Sequence, residues 1–254
     1  MTENYRSVFD IIGPIMIGPS SSHTAGAVAI GRVARQVLGQ TPVRVTVHYY
    51  ESFAQTHQGH GTDYAIVAGL LQMDPADPRV PNSRELASQA GIEINFVEEP
   101  GASPIGHPNT AVLDLVGATK QARLSGCSVG GGIIEVRELV LEGVAIQPSG
   151  PLPIVLFQAP VADQAKQEQG RLLINDLEWK APFIKQQVFT SPHSTIWAFD
   201  LKDYLQDDLR AYLLQTYPAF VLCFCSEQGQ LPFVLFFLSV FFLALLLILE
   251  YFLY

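Results

Sequence analysis

The sequence predicts an α+β protein built on a mixed sheet, and two patterns in its first 158 residues support this class. Short segments rich in β-branched residues alternate apolar and polar positions, which is typical of half-buried strands. Between them lie a few segments with apolar residues at three-to-four-residue spacing, which is typical of amphipathic helices. Several strands with few helices favour a sheet that carries its helices on one face.

Start and stop signals delimit the individual elements. Asn82 or Ser83 is placed to cap one helix, and Gly91 follows its end. Three helices are predicted. The first begins directly after residues 18–26 and runs through Gly39, and the other two span 63–72 and 84–90. The predicted strands are 43–50, 92–97, 111–116 and 129–139. The glycines at 130–132 are not followed by a dinucleotide-binding helix, so we expect them to allow close backbone packing or a bulge.

Residues 18–26, with the sequence GPSSSHTAG, form the most informative stretch. A Gly-Pro pair breaks the incoming chain, and the hydroxyls that follow stand where helix N-caps belong. Unpaired N–H groups and the positive end of the helix dipole suit a small anion such as a carboxylate or phosphate. His23 is placed to move a proton. The alternative is a Ser/Thr-rich helix cap with an incidental histidine.

Charge and cysteine content limit the class of protein. The formal net charge is −9 and Lys and Arg form no cluster, so nucleic acid is not an expected partner. The three cysteines, Cys127, Cys223 and Cys225, form no CxxC motif or disulfide framework, which fits a reducing cytosol. The first ten residues are polar and show no signal peptide. We therefore expect a cytoplasmic protein.

The segment 228–249 changes the character of the chain. It contains no Asp, Glu, Lys or Arg and is long enough for a transmembrane helix. Three explanations are open: the product of a translated frameshift, a membrane anchor, or a buried core segment. We expect a membrane-anchored location only if this segment is a genuine part of the protein.

Four motifs in order resemble the beta chain of bacterial iron–sulfur-dependent L-serine dehydratase. They are SVFDIIGP leading into IGPSSSHT at 7–24, QGHGTD at 58–63, GHPNT at 106–110 and VGGGIIE at 129–135. The resemblance covers roughly residues 5–158. It implies a serine dehydratase beta-chain domain over 1–140, similar to the allosteric substrate-binding domain of some phosphoglycerate dehydrogenases.

The resemblance also implies a second domain, which the sequence supports only in part. Residues 141–158 are similar to the start of an ACT-like domain. The turn and PG pair that the family places after Phe157 are missing, and 159–227 shows no regular βαββαβ order. We therefore expect 159–227 to be irregular and the ACT-like domain to be incomplete or absent.

By this resemblance the chain is a subunit of an L-serine ammonia-lyase, which deaminates L-serine to pyruvate and ammonia in serine catabolism that feeds gluconeogenesis. The reaction needs an iron–sulfur alpha chain as partner. The [4Fe-4S] cluster is held by cysteines of that alpha chain, so no metal ligand is expected in this chain.

The resemblance assigns roles to nine residues. His23, His60 and His107 are candidates for proton transfer, and the glycines around His60 predict a loop there. Asp63 is placed to cap a helix or orient a histidine. The candidate substrate-binding residues are Ser20, Ser21, Ser22, Thr24, Asp63 and Asn109. The pair His57 and His60 has the spacing of metal ligands on a helix, but the predicted loop does not favour a zinc site.

Two other functions stay open at this stage. The chain is alternatively a non-catalytic regulatory module that binds serine or another small anion, because the same fold serves that purpose elsewhere. Three histidine motifs argue against a purely regulatory role. The unusual C-terminal third also allows a decayed, non-functional beta chain.

Overall fold

The fold comes from a computed structural model that describes residues 15–151, 153–203, 205–217 and 221–224. A first sheet is built from strands that lie between residues 42 and 151. Its strands are β1 (Pro42–Tyr50), β2 (Glu93–Glu99), β3 (Thr110–Gly117), β4 (Gln121–Gly130), β5 (Ile133–Leu141), β6 (Val144–Ile146) and β7 (Gly150–Pro151). The order is β2-β1-β3-β4-β5-β6, with β7 also paired to β5. β1 and β2 are parallel and the other pairs antiparallel, so the predicted mixed sheet is confirmed.

Of the helices associated with the first sheet, one precedes β1, two follow β1, and one precedes β2. A π-helical turn, Ser21–Ala25, leads into α1 (Gly26–Leu38). α2 (Glu51–His60) follows β1 directly, and α3 (Thr62–Leu70) follows α2 after one residue. A 3-10 turn, Val80–Asn82, leads into α4 (Ser83–Gln89). Apolar residues of α1 and α3, such as Ile30 and Ile66, are fully buried in the core that also holds Val45, Val47 and Leu113 of the sheet.

α1 and α3 cross with their backbones in contact. A Cβ atom added at Gly31 would come within 2.2 Å of the Ile66 carbonyl oxygen, and one at Gly69 within 2.1 Å of the Val28 carbonyl oxygen. Any side chain at these two positions would therefore force the helices apart.

A second sheet follows and corrects the expectation for residues 159–227. Its elements are β8 (Ile154–Pro160), α5 (Gln164–Lys180), β9 (Phe183–Thr190), β10 (Ser194–Leu201), α6 (Asp207–Thr216) and β11 (Val221–Phe224). This order is β-α-β-β-α-β, and the four strands pair antiparallel in the order β11-β8-β10-β9. The described part of 159–227 is thus regular, and the prediction of an irregular segment is wrong.

The packing of β10 explains why the sequence pattern was missed. Every residue of β10 is buried, because Ile196 and Ala198 face the first core while Trp197 and Phe199 face the helices of the second sheet. A strand buried on both faces has no polar alternation. In α5 the side chain of Trp179 is 88% exposed, which obscures the apolar face that buries Leu173 and Leu177.

The other predicted elements agree with the structure except around the glycine run. The helices through Gly39, at 63–72 and at 84–90, and the strands 43–50, 92–97 and 111–116, are confirmed within a few residues. The strand predicted at 129–139 is instead the end of β4, a turn at 130–132 and β5. All three glycines have positive φ and form a hairpin turn, and the register of β4 and β5 shifts between Ser128 and Gly130, in agreement with the expected bulge.

Within the described ranges, none of the helices combines the length and the apolar character needed to cross a membrane. The segment 228–249 lies outside those ranges.

Replacing Gly31 by Ala tests the helix crossing. We expect Gly31→Ala to lower the free energy of unfolding by roughly 1–3 kcal/mol, because the new methyl group overlaps the backbone of α3. Urea titration followed by circular dichroism measures the change. Gly59→Ala is the matched control: it lies in α2 with open space around it, so it should leave stability unchanged or raise it by up to about 1 kcal/mol. Equal stability of Gly31→Ala and the wild type would contradict the crossing.

Candidate functional site

Three distant segments of the sequence meet at one end of the first sheet. β1 runs into α2 at this end, and β3 begins there after the loop 106–109. Phe53 of α2 connects them: its ring centroid lies 5.2 Å from that of His23, and its N–H donates to the Pro108 carbonyl at 3.3 Å. The π-helical turn, the first turn of α2 and the 106–109 loop therefore surround one region.

The predicted capping of the first helix by hydroxyls is confirmed at Ser20. Its side chain accepts a hydrogen bond from the His23 N–H at 3.3 Å, so it caps the π-helical turn. The ring of His23 returns toward the same hydroxyls, with Nδ1 3.1 Å from Ser22 Oγ and 3.3 Å from Ser20 Oγ. Ser21 is half-buried, and its carbonyl accepts from the N–H of Gly26. The sequence indicated the cap but not the wider π-helical geometry, a form that is frequent at functional sites.

The opposite nitrogen of His23 is buried without a partner. His23 is 9% exposed, and its Nε2 has no hydrogen-bond partner among the described residues. The same holds for the hydroxyls of Thr24 and Ser128. Ser128 lies against Gly26, where any Cβ atom would collide with its hydroxyl. Buried polar groups left without partners cost free energy, and their concentration next to one histidine indicates a place where a ligand completes the hydrogen bonds.

His60 lies on the other side of His23. The two ring centroids are 4.7 Å apart, and the rings meet edge to face. Burial lowers the pKa of His23 below its ordinary value, and the nearby charge of His60 lowers it further. His60 is exposed and is the last residue of α2, so the predicted loop is wrong. Gly59 fits into the helix, while Gly61 ends the helix with φ 73°.

The third predicted histidine, His107, lies in the loop before β3. Its Nδ1 accepts from the N–H of Asn109 at 3.1 Å, and the Asn109 side-chain amide donates to the Ser128 carbonyl at 3.4 Å. Burial lowers the pKa of His107, and the charge of Arg137 acts in the same direction. Since Ser128 adjoins Gly26, Asn109 is placed beside the π-helical turn.

Two acidic residues, Glu51 and Glu135, hold the loop and the start of α2, and neither was assigned a role from the sequence. Glu51 has φ 46°, a left-handed conformation that is strained for a side chain other than glycine. Its carboxylate accepts from the Ser103 N–H at 2.9 Å, while Arg137 donates to the Ile105 carbonyl at 2.6 Å and pairs with Glu135. Strain of this kind cannot be read from the sequence pattern.

Of the two roles expected for Asp63, capping a helix or orienting a histidine, the structure shows contact with a histidine, His57. Its carboxylate lies 2.6 Å from Nδ1 of the buried His57, whose Nε2 lies 2.8 Å from Glu98. The sequence analysis considered His57 only as a zinc ligand. The sequence did contain a signal for this contact, the pair Thr62-Asp63 shortly after His60. An acidic residue in the first turn of a helix can reach back to the helix that precedes it.

The described residues do not fit an iron–sulfur cluster. They contain no group of three His, Cys, Asp or Glu side chains that could hold a metal ion. Burial raises the pKa of the Cys127 thiol to about 11, so it stays protonated and is a poor ligand. Cys225 lies outside the described residues. We derive no chemical step through a cluster in this chain.

The fold and the site define an α+β protein with a histidine-rich region at one sheet end, and comparison with known proteins names its family. Residues 7–138, more than half of the chain, match the family described as serine dehydratase beta chain. The chain belongs to this family, as its four motifs indicated.

Individual relatives agree with the family. A probable L-serine dehydratase beta chain of Bacillus subtilis is 51% identical over 152 residues, which are 60% of this chain and 67% of the relative. The L-serine dehydratase beta chain of Peptoniphilus asaccharolyticus is 37% identical over 158 residues, 61% of this chain and 68% of the relative. L-serine dehydratase 1 of Escherichia coli is 28% identical over 169 residues, 58% of this chain but 37% of the relative.

The lowered pKa of His23 predicts how stability depends on pH. In the unfolded chain a histidine titrates near pH 6.5, whereas the folded chain binds that proton only at lower pH. Between the two values the unfolded state holds more protons, so the free energy of unfolding falls as the pH is lowered below 6.5. His23→Asn should reduce this slope by at most about 1.4 kcal/mol per pH unit.

Urea midpoints between pH 7 and pH 5 measure the slope. His193→Asn, at an exposed position of the second sheet, is the control and should leave it unchanged. A slope as steep in His23→Asn as in the wild type would show that His23 is not held neutral by burial.

Proposed function

We propose that this chain is the beta subunit of an L-serine dehydratase, a lyase that converts L-serine to pyruvate and ammonia together with an alpha chain. Membership of the beta-chain family and the names of the relatives support the subunit and the reaction. The observation that carries the mechanism is the contact between a buried histidine and an exposed one, His23 and His60, where three motifs meet.

The elimination requires a base for the proton on the serine Cα, and a neutral imidazole is suited to this. His60 is exposed at the end of α2, so it is the histidine that we assign to the proton transfer from substrate. Burial holds the pKa of His23 low, so His23 stays neutral and its Nε2 is available to a ligand atom or to a proton leaving the site. His107 orders the neighbouring loop through Asn109 and stays a candidate for substrate contact.

The serine carboxylate is proposed to bind at the start of the π-helical turn. Ser20, Ser21 and Ser22 lie at this end, and the Thr24 hydroxyl that follows in the turn is buried with no hydrogen-bond partner among the described residues. Helix N-termini favour anions because their N–H groups and dipole point outward. Asn109 is proposed to contact substrate from the opposite side, where its amide already bridges to β4. For Asp63, whose carboxylate is held by His57, we propose an orienting role in place of the expected substrate contact.

The part of the reaction that needs the iron–sulfur cluster is assigned to the alpha chain. Because the described residues do not fit a cluster, we propose that the alpha chain holds the [4Fe-4S] cluster and that the site closes between the two chains. The proton-transfer and carboxylate-binding groups come from this chain. The setting we propose is cytoplasmic serine catabolism that feeds gluconeogenesis.

A second, regulatory role is proposed for the second sheet. Its β-α-β-β-α-β order, with two helices on one face of four antiparallel strands, is the ferredoxin-like arrangement that an ACT-like domain adopts. We propose that the ACT-like domain predicted to start at 141–158 continues through β11 and binds a small ligand.

Turnover of L-serine tests the assignment of the histidines. The chain is co-expressed anaerobically with its cognate alpha chain, and pyruvate release is measured. We expect activity that needs both chains, and we expect His60→Asn and His23→Asn each to lower kcat by at least about 100-fold. Both variants should still associate with the alpha chain in size-exclusion chromatography.

His193→Asn is the matched control and should keep the wild-type kcat, since this residue is exposed in the turn before β10. Wild-type turnover by His60→Asn would remove that residue from the mechanism. Pyruvate release by the alpha chain alone at the same rate would contradict a catalytic role for this chain.

A further inference from the structure

A second histidine in α2 lies in an environment unlike that of the two histidines assigned to proton transfer. The side chain of His57 is only 5% exposed, and both of its ring nitrogens face carboxylates. Nδ1 lies 2.6 Å from Asp63 in the first turn of α3, and Nε2 lies 2.8 Å from Glu98 in β2. One ring therefore joins three elements of the first sheet region.

The geometry holds this ring at both nitrogens. Asp63 and Glu98 each place a carboxylate oxygen within hydrogen-bond distance of one nitrogen of His57. Charge-assisted hydrogen bonds of this kind are stronger than neutral ones. Arg84 of α4 also faces the cluster, with its guanidinium 4.0 Å from Asp63. Burial, and after it the charge of Asp63, raises the pKa of the Tyr49 hydroxyl, so Tyr49 stays neutral.

The ring is also fixed in orientation. It stacks on Tyr49 of β1 with ring centroids 4.7 Å apart and planes 29° from parallel. Tyr49 is fully buried and stacks in turn on Phe96 of β2. A ring held at both nitrogens and on one face has little freedom, and it transmits this restraint to the backbone that carries it.

That backbone is the last turn of α2, which presents His60. His57 precedes His60 by three residues, and its carbonyl accepts the hydrogen bond from the Gly61 N–H that ends the helix. Gly61 has no room for a side chain because Tyr64 lies against it, so the connection to α3 is tight. The exposed His60 ring therefore owes its place beside His23 to the turn that His57 holds.

We propose that His57, through its paired contacts with Asp63 and Glu98, is the positioning residue that holds His60 against His23 in the geometry needed for proton transfer. This inference rests on the proposed role of His60. Misplacement of a catalytic group by about 1 Å can cost about 100-fold in rate, so loss of this restraint should affect kcat more than KM.

His57→Gln in the full chain is the primary test, because the single side-chain amide of glutamine cannot bridge both Asp63 and Glu98 as the two ring nitrogens do. With the alpha chain, we expect kcat for L-serine to fall about 10- to 100-fold while KM changes less than about threefold. His193→Gln is the control and should keep wild-type kinetics.

The second readout needs no turnover. In full-length chain labelled with carbon-13 at histidine Cε1, the titration of His23 is followed by NMR and assigned with His23→Asn. The charge of His60 contributes to the low pKa of His23, so release of His60 should move the pKa of His23 upward in His57→Gln. If the contacts of His57 served only to stabilise the fold, the titration of His23 would be unchanged in folded His57→Gln.

Glu98→Ala covers the case in which His57→Gln does not fold. The Glu98 side chain is 59% exposed, so its removal is tolerated, and we expect changes in the same direction but smaller. Glu93→Ala, at an exposed position of the same strand, is its control. An unchanged His23 titration, or an unchanged kcat in an active pair of chains, overturns the proposal. If the wild-type pair releases no pyruvate, the proposed function fails, while the titration still decides whether His57 holds His60 in place.

Discussion

The contact between the backbones of α1 and α3 is the constraint on which the site depends. Gly31 and Gly69 allow the two helices to touch, and each helix begins next to a segment that carries one of the two contacting histidines. The π-helical turn that carries His23 precedes α1, and the tight turn after His60 precedes α3. Protein interiors transmit small displacements because they are close-packed. The spacing of the two histidine rings is therefore set in the core as well as at the site itself.

Around these helices the sheet gathers groups that the chain keeps far apart. The parallel pairing of β1 with β2 and the antiparallel pairing with β3 bring the end of β1 and the start of β3 to the same edge. Phe53 and the 106–109 loop then meet the π-helical turn. Among the described residues, buried hydroxyls and one imidazole nitrogen at this place have no hydrogen-bond partner, which costs folding free energy.

The second sheet contributes to the first core and is not a separate appendage. Ile154, Leu156, Ile196 and Ala198 pack with the first core, while the opposite faces of the same strands bury Phe157, Trp197 and Phe199 under α5 and α6. Polar contacts add to this packing: Asp200 accepts from both the N–H and the hydroxyl of Ser149, and Ser194 donates to Glu142. A ligand bound on the second sheet would thus act on strands that also support the first core.

The sequence by itself determined the α+β class, most elements up to residue 116, and the family through four local motifs. These three predictions depend on short-range sequence patterns. The patterns are apolar periodicity, helix caps such as Ser20, and the short motifs that contain His23, His60 and His107. β4 and most of the second sheet could not be predicted, because a strand such as β10 that is buried on both faces has no alternation of polar and apolar residues. The sequence also predicted a loop at His60, since glycines near the end of a helix resemble those of a turn. The pairing of His57 with Asp63 and Glu98, the left-handed Glu51 and the contact of His23 with His60 were decided only by the tertiary structure. These features join residues from different elements, and only the packing of those elements fixes their distances.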